Sequence, residues 1–417
     1  QQEAEAAVAR LRHHASLALW CGNNEDYQIA ESVGAGDFSA QDHLETSTFP
    51  AREIYERLLP DVCARLDPQR PYWPGSPYTP GGGATTQPTA GDRHTWDIWH
   101  GVMAPYTDYA NYEGRFVSEF GLQAPPAAST IASFTKPADR HAHSRVMEHH
   151  NKAPDGSRRL AAYLSDTLNP PADFGAWVYG TRLVQAEAMQ AACRAYRRRW
   201  GQEGQRAVSG ALVWQLNDCW PVTSWSLIDS CGLPKPAWYA VGREFQPLAI
   251  GISREGGTLA TWLCSAARQD QPLELEFTSC GLDGMQLHQE KQTVAAASNA
   301  TTPVTWRVPA VPDDAAVFIR GFQNGVEVAR SALWPHPLKH HDLPDPGLRV
   351  SWQGDQLDVV ARGPAKAVWI EASGVPSDNH LDLMPGEHVT VTLAGAAAVE
   401  VRAVGSPVVH VANTHTG

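Results

Sequence analysis

The sequence predicts an α/β region built on a parallel sheet, followed by an all-β region. Over about the first 240 residues, helical patterns alternate with short apolar runs, as in strand–helix units. From about Leu248 the pattern changes to short strands in which apolar and polar residues alternate between turn residues. The 417 residues exceed what one hydrophobic core usually organises, so we expect two or three domains of roughly 100–200 residues each.

The elements of the α/β region each carry a local signal. Ala4, Ala7, Val8 and Leu11 recur at helical spacing and predict an opening helix. A continuous apolar run at residues 17–21 predicts a first strand. Further helices are predicted near residues 50–66, where Pro60 would introduce a kink, and over residues 175–200. Further strands are predicted at residues 70–77, 93–101, 114–121 and 209–221.

The all-β region divides at residues 336–347, "HPLKHHDLPDPG", which has the composition of a linker. Five strand patterns precede this stretch: "TLATWLCS", "LELEF", "TPVTWRV", "AVFIRG" and "VEVARSALW". Five more follow it: "LRVSW", "LDVVA", "AVWIEA", "VTVTL" and "VEVRAVG". We therefore expect an α/β domain over residues 1–246 and two β-sandwiches over residues 247–336 and 337–417.

Composition argues against several classes of partner and cofactor. The net charge of −12 and the lack of a broad basic face argue against nucleic-acid binding. No apolar run reaches the roughly 18–20 residues that cross a bilayer, so we expect no membrane partner. The seven cysteines are scattered without CxxC pairs, and three His-His pairs lack companion ligands, so we expect no metal site. Without a nucleotide or flavin motif, no cofactor is implied, and these patterns define neither compartment nor oligomeric state.

Two glutamates stand where strands of the α/β region end. Glu25 follows the first apolar strand in "GNNED", and Glu119 lies in "FVSEFG". Ligands gather at the carboxyl ends of parallel strands, so both carboxylates can face one site. A carboxylate pair is the minimum equipment for glycoside hydrolysis. The alternative for Glu25 is structural, because residues 23–26 also have the composition of a helix N-terminal cap.

Four longer motifs closely resemble the β-mannosidases of glycoside hydrolase family 2. They are, in chain order, "LALWCGNNE", "GDRHTWDIWHG", "RFVSEFGLQ" and "LVWQLNDCWPVTSWSLID…PKPAWYA". The later segment "SDNHLDLMPGE", residues 377–387, is similar to the C-terminal sandwich of that family. The resemblance implies the C-terminal part, about strands 4–8, of a (β/α)8 TIM barrel followed by two Ig-like β-sandwich domains.

The resemblance also implies roles for the acidic motifs. Glu25 matches the general acid/base at the end of barrel strand 4, and Glu119 matches the nucleophile of strand 7. Asn24 matches the residue that hydrogen-bonds the sugar 2-hydroxyl. For Asn24 the alternative is an ordinary turn residue. To act as an acid, Glu25 needs a raised pKa, whereas Glu119 must stay ionised.

Three further residues are implied by the same resemblance. Trp96 and Trp214 match aromatic positions that line the sugar subsite, although tryptophans of a barrel are also common core residues. His100 matches the strand-6 position at which related enzymes often place a tyrosine that contacts the nucleophile. We therefore expect the group that contacts the nucleophile at this position to be an imidazole instead of a tyrosine hydroxyl.

Strands 1–3 of the implied barrel, and two N-terminal β-domains of the family, do not match any segment. Because a barrel cannot close with five strands, we expect the chain to be the C-terminal part of an enzyme about twice as long, with the missing half as its partner. The predicted activity is that of a retaining exo-β-mannosidase acting on terminal, non-reducing β-D-mannose of oligosaccharides or glycans. The alternatives are another family 2 exo-glycosidase, of β-galactosidase, β-glucuronidase or exo-glucosaminidase type, and a non-catalytic carbohydrate-binding scaffold.

Overall fold

A computed structural model describes residues 1–36, 43–201, 204 and 206–413. The chain divides into two compact units. The first unit comprises Gln1–Trp96, Asn111–Phe120 and Ala207–Val213. The second unit comprises Asp97–Ala110, Gly121–Arg206 and Trp214–Gly417.

The first unit contains short parallel strands with helices between them. Its helices are α1 (Gln2–Leu11), α2 (Asp26–Ser32) and α3 (Leu59–Leu66), with a π-helical turn at Ile54–Leu58 and 3-10 turns at Leu44–Thr46 and Pro80–Gly82. Its strands are β1 (Trp20–Cys21), β2 (Tyr72–Trp73), β3 (Arg93–Thr95) and β4 (Val117–Phe120). Strand β1 pairs with β2, and β3 pairs with β4, both in parallel. The pairing confirms the parallel α/β arrangement expected for this region.

Two small apolar clusters hold these elements together. Val8 of α1 packs with Val62 and Cys63 of α3, all three almost fully buried. Tyr27 of α2 lies edge-on to Phe49, with ring centroids 5.4 Å apart. The apolar stripes of the short helices thus cover the strands that carry polar residues at their ends.

The observed elements differ from the predicted ones mainly in length. The opening helix is confirmed, and the helix predicted near residues 50–66 is present with Pro60 in the first turn of α3. The strand predicted at residues 17–21 is reduced to β1, and the strand predicted at residues 209–221 is wrong. There the chain pairs with β4 only through an isolated bridge between Val117 and Ala211. In this bridge the carbonyl of Gly210 accepts from the amide of Val117, and the amide of Leu212 donates to the carbonyl of Val117.

The longest helix lies in the second unit. Helix α7 (Phe174–Arg198) begins where the side chain of Asp173 accepts a hydrogen bond from the amide of Ala176 (2.7 Å), a standard N-terminal cap. It packs against α8 (Pro236–Glu244) and contacts strands of the following sheets. The helix predicted over residues 175–200 is thus confirmed. The other helices are α4 (Ala128–Phe134), α5 (Arg145–His149) and α6 (Gly156–Thr167), with 3-10 turns at Tyr106–Asn111, Pro137–Asp139 and Leu338–His340.

An antiparallel sandwich follows α8. Its strands are β5 (Leu248–Glu255), β6 (Thr258–Ser265), β7 (Gln271–Cys280), β8 (Gln286–Ala296), β9 (Ala300–Val304), β10 (Ala316–Gln323) and β11 (Val326–Leu333). They form one sheet of order β5-β6-β9 and another of order β11-β10-β7-β8. Alternate residues of both sheets, such as Ile250, Leu263, Phe277 and Ile319, fill a common core. All five strand patterns predicted here are confirmed, and β5 and β8 were not predicted.

A second antiparallel sandwich completes the described chain. Its strands are β12 (Arg349–Gln353), β13 (Gln356–Val360), β14 (Ala365–Ala372), β15 (Leu381–Leu383), β16 (His388–Thr392), β17 (Ala398–Arg402) and β18 (Val409–Ala412). Sheets of order β12-β13-β16 and β15-β14-β17-β18 enclose a core that includes Trp352, Leu357, Ile370 and Val401. In the described residues, no helix has the length and apolar character required to span a bilayer.

Candidate active site

Glu25 lies at the turn between β1 and α2. Its backbone adopts a left-handed conformation (φ 64°) at the residue that precedes the first turn of α2. The helix is capped by Asn23, whose Oδ1 accepts from the amide of Asp26 (3.1 Å). The carboxylate of Glu25 lies instead with Oε1 2.9 Å from Nδ1 of His94. The helix-capping alternative thus describes the backbone position of Glu25 but not the contact of its side chain.

Glu119 is placed by an irregularity in the pairing of β3 with β4. Arg93 pairs with Val117, whereas the next residue, His94, pairs with Glu119, so Ser118 is an extra residue in β4. Such a bulge changes the direction in which neighbouring side chains point, and bulges are common beside active sites. Glu119 is buried, with 7% of its surface exposed, and stands directly beside His94 in the sheet.

His94 connects the two glutamates. Its Nδ1 lies 2.9 Å from Oε1 of Glu25 and 3.3 Å from Oε2 of Glu119. Trp96 directly follows the last residue of β3 and reaches the same carboxylate. Its indole Nε1–H donates to the same Glu119 oxygen at 3.0 Å. Oε2 of Glu119 therefore receives a hydrogen bond from the Trp96 indole and lies close to the His94 ring.

A second polar cluster holds the other side of the His94 ring. Nε2 of His94 is 2.9 Å from the hydroxyl of Ser76, and that hydroxyl is 2.7 Å from Oδ2 of Asp92. The hydroxyl of Ser118 also donates to Oδ2 of Asp92, and the indole of Trp73 donates to Oδ1 at 2.8 Å. Asp92 and His94 are both buried. The buried imidazole is therefore fixed at both nitrogens.

Burial raises the pKa of the Glu119 carboxyl above its usual range. The nearby carboxylates of Glu25 and Asp92 act in the same direction, whereas His94 and the hydrogen bond from Trp96 oppose the shift. The indole can only donate, so its bond to Glu119 is made best to the ionised carboxylate. Burial of Glu119 is thus opposed by the indole donor of Trp96 and by the nearby His94 ring.

The three ionisable side chains also have the composition of a cation site. Ligand atoms of Glu25, His94 and Glu119 all lie within 4.8 Å of one another. Carboxylate oxygens and an imidazole nitrogen are usual ligands of divalent transition metals. Nδ1 of His94 itself lies at hydrogen-bond distance from Glu25, so the described geometry is that of a directly hydrogen-bonded cluster.

The other predicted site residues fall in different places. Asn24 is exposed and forms a parallel bridge with Ser76 in the first unit. His100 and Trp214 belong to the second unit. His100 is exposed, its ring centroid 5.5 Å from that of Trp225, and Trp214 is 38% exposed. The structure therefore brings together Glu25, Glu119 and Trp96.

The sequence interpretation missed the residues that join the glutamates. His94, Asp92 and Ser76 were not selected as candidates. A signal for His94 was present, because it stands two residues before Trp96 in a predicted strand and must share its face. Ser76 offered no such signal, since it lies beyond the end of β2, where the chain path cannot be read from a period-2 pattern.

Known proteins are similar to this chain in both sequence and fold. A model named Ig_mannosidase, describing an Ig-fold domain, matches residues 343–405. Beta-mannosidase B of Aspergillus flavus is 40% identical over 95% of this chain and 50% of the relative, and that of Emericella nidulans is 39% identical with the same coverage. The crystal structure of a β-D-mannosidase from Dictyoglomus thermophilum superimposes with a TM-score of 0.85, at 28% identity, over 97% of this chain and 50% of that one.

The chain is a homologue of the family 2 β-mannosidases. This confirms the resemblance carried by the four motifs. The chain spans about half the length of the curated relatives that it matches. The exo-chitosanase CsxA of Amycolatopsis orientalis superimposes with a TM-score of 0.72 at 15% identity, which shows a shared fold alone. An Ig-like domain in the C-terminal part, as expected, agrees with the match at residues 343–405.

Proposed function

We propose that this chain carries the catalytic glutamates of a retaining exo-β-mannosidase, with Glu119 as nucleophile and Glu25 as acid/base. The observation that carries the proposal is the pairing of the two carboxylates through one histidine, in a homologue of β-mannosidases. Oxygens of the two carboxylates lie within 4.8 Å of each other. Retaining enzymes separate their carboxyl groups by roughly 5–5.5 Å, whereas inverting enzymes leave roughly 6.5–9.5 Å for a water.

The roles follow from the surroundings of each carboxylate. Oε2 of Glu119 receives a hydrogen bond from the indole of Trp96, which stabilises an anion, so Glu119 is suited to attack the anomeric carbon. Glu25 is one-third exposed and accessible to a leaving group. In the first step Glu25 protonates the departing oxygen while Glu119 forms the glycosyl ester. In the second step Glu25 takes a proton from the attacking water, and Glu119 is released.

Burial alone would favour the opposite assignment. It raises the pKa of Glu119, and a carboxyl with a raised pKa is the usual general acid. We assign Glu119 as nucleophile because the Trp96 indole can only donate and bonds its Oε2, a contact that favours the ionised carboxylate. The motif resemblance gives the same order of roles.

We further propose that the strands of the first unit are part of a (β/α)8 barrel. Strands β1, β2, β3 and β4 would be barrel strands 4–7, and the segment bridged to β4 at Ala211 would be strand 8. The parallel pairs, and the parallel bridge between Asn24 and Ser76, support this order. The domains would then span residues 1–246, 247–336 and 337–417, and the natural protein would supply strands 1–3 in a preceding half. The match to only 50% of each relative supports that arrangement.

The substrate proposed is a β-mannoside oligosaccharide or glycan end. Asn24 would hydrogen-bond the sugar 2-hydroxyl. Trp96 would line the subsite that holds the terminal mannose, while the sugar contacts of Trp214 and His100 remain predictions from the motif resemblance. The support for this selection is the similarity to β-mannosidases and the indole of Trp96 beside Glu119.

The test is hydrolysis of aryl β-mannoside, β-glucoside and β-galactoside by the full-length protein that contains this chain. We expect turnover of the mannoside, with the β-anomer of mannose as the first product seen by NMR. Glu119→Gln should abolish turnover, and Glu25→Gln should slow it most for substrates with poor leaving groups. Glu148→Gln, at an exposed glutamate, is the matched control. A folded protein that hydrolyses none of the three glycosides would refute the proposal, and release of the α-anomer would refute the retaining mechanism.

A further inference from the structure

We propose that His94 holds the proton that Glu25 delivers to the leaving group, with the hydrogen bonds around Asp92 fixing the imidazole for this task. The inference rests on the proposed function and deepens it by adding a positioning and proton-holding residue. It comes from the directions that the hydrogen bonds around the ring must take. The donor in each of these hydrogen bonds is determined by its partner, beginning with Asp92.

Asp92 is the acceptor at the end of the network. Its Oδ1 receives the indole hydrogen of Trp73, which can only be donated. Its Oδ2 is approached by the hydroxyls of Ser76 (2.7 Å) and Ser118, each with a single hydrogen to give. A hydroxyl that can choose between a carboxylate and a neutral ring gives its hydrogen to the carboxylate, because charge-assisted bonds are stronger.

The direction of the Ser76 bond determines the state of the imidazole. With its hydrogen on Asp92, the Ser76 oxygen can only accept from His94 across the 2.9 Å contact. Nε2 of His94 therefore carries a hydrogen. The other possible acceptor for Ser76, the hydroxyl oxygen of Ser118 at 3.1 Å, leads to the same result.

A proton must then lie between Nδ1 and the glutamates. A bare Nδ1 would direct its lone pair at two carboxylate oxygens, 2.9 Å away on Glu25 and 3.3 Å away on Glu119. The repulsion is removed in two ways. In one state His94 is an imidazolium between two carboxylates, and in the other His94 is neutral and Glu25 is the protonated acid. The two states contain the same number of protons, so one passes into the other when the Nδ1–H bond breaks and the Oε1–H bond of Glu25 forms.

This equilibrium explains how a partly exposed carboxyl can act as an acid near neutral pH. An ordinary glutamic acid would lose its proton near pH 4.3, roughly two units below an ordinary histidine. With Nδ1 of His94 2.9 Å from Oε1 of Glu25, the proton can be held by either group and leaves the cluster only when neither holds it. The charged groups that face the ring are Glu25 and Glu119 at Nδ1, and Asp92 through the hydroxyl of Ser76 at Nε2. In the second step the proton from water returns to Nδ1 through Glu25, which restores the resting state.

The test compares pH profiles of kcat/KM for an aryl β-mannoside with a poor leaving group, using the full-length protein in the presence of EDTA. In His94→Gln the basic limb of the profile should move to lower pH by about two units, the difference between ordinary histidine and glutamate values. Ser76→Ala, which keeps the imidazole but removes its partner at Nε2, should move the limb in the same direction by a smaller amount. His13→Gln, at an exposed histidine of the same unit, is the control.

A second measurement does not depend on activity. In the wild-type protein, proton NMR near neutral pH should show a strongly downfield ring N–H resonance that is absent from His94→Gln. An unchanged basic limb in a folded His94→Gln variant would overturn the inference, as would the absence of this resonance in the wild type. If the wild-type protein shows the resonance but hydrolyses no β-mannoside, the proposed function fails while the proton assignment stands.

Discussion

Lys366 makes a buried ion pair whose removal has a predictable cost. The residue lies in β14, with only 3% of its side chain exposed, and its Nζ is 2.6 Å from Glu187 of α7 and 3.3 Å from Asp382 of β15. Lys366→Met keeps the length of the side chain but leaves both carboxylates without their cation. Breaking a buried pair in this way costs about 3–5 kcal/mol of the free energy of unfolding. Because the carboxylates are about one-fifth exposed, we expect a value near the lower end, about 3 kcal/mol.

Urea unfolding at neutral pH measures this cost, and Lys291→Met provides the comparison. Lys291 of β8 is 67% exposed and pairs with Glu276 of the neighbouring strand β7 in the other sandwich. Its loss should therefore cost less than about 1 kcal/mol. Burial alone would raise the pKa of Asp382, but Lys366 and other groups overcome this and hold it below its usual range. The contribution of Asp382 is therefore present above the unfolded-state pKa and is lost as the pH falls through the folded-state value. Equal costs for the two variants, or a cost that does not shrink in acid, would refute this reasoning.

Three further predictions concern the first unit and one helical glycine. Trp96→Phe removes a donor to the Glu119 carboxylate and should lower kcat/KM roughly 10- to 100-fold on an aryl β-mannoside, since such bonds contribute about 1.5–3 kcal/mol; an unchanged rate would contradict it. Gly22→Ala should reduce both stability and activity, because a Cβ there would lie 2.5 Å from the backbone oxygen of Pro74. The comparison is Gly242→Ala in helix α8, where the added Cβ meets no neighbouring atom. This variant should melt at the same temperature as the wild type or at a higher one. Glu119→Gln should melt at a higher temperature than the wild type near pH 7, because the carboxyl has a raised pKa in the folded state and its ionised form is destabilising there. This gain should vanish below the unfolded-state pKa of about 4.3, and a gain that persists at lower pH would contradict the sign.

Much of the fold could be predicted from periodicity because burial follows local pattern in most elements. Helix α7 and five of the seven strands in each sandwich were located from apolar spacing. Strand β8 was missed because most of its residues are polar and its pairing depends on β7, which local pattern does not show. The strand predicted at residues 209–221 failed for the reverse reason. Its composition suits a strand, but its backbone meets β4 only near Ala211.

The candidate site shows where sequence reasoning ends. Glu25 and Glu119 could be selected because a polar residue at the end of an apolar strand is unusual without a function. Their meeting at His94 could not be predicted, because it depends on a bulge that makes Ser118 an extra residue in β4 opposite β3. Ser76 and Asp92 reach His94 from separate segments, and no spacing along the chain encodes that meeting.

Helix α7 also limits how the C-terminal sandwich can be exchanged during evolution or engineering. Arg182 of α7 pairs with Glu371 at 2.8 Å, and Glu187 of the same helix pairs with Lys366, both on strand β14. A transplanted sandwich that lacks these counter-charges would leave two ionic groups on α7 unmatched. The last 80 or so residues are thus contiguous in the gene, yet they are not a portable module. Successful chimeras should retain Lys366 and Glu371, or replace them together with Glu187 and Arg182.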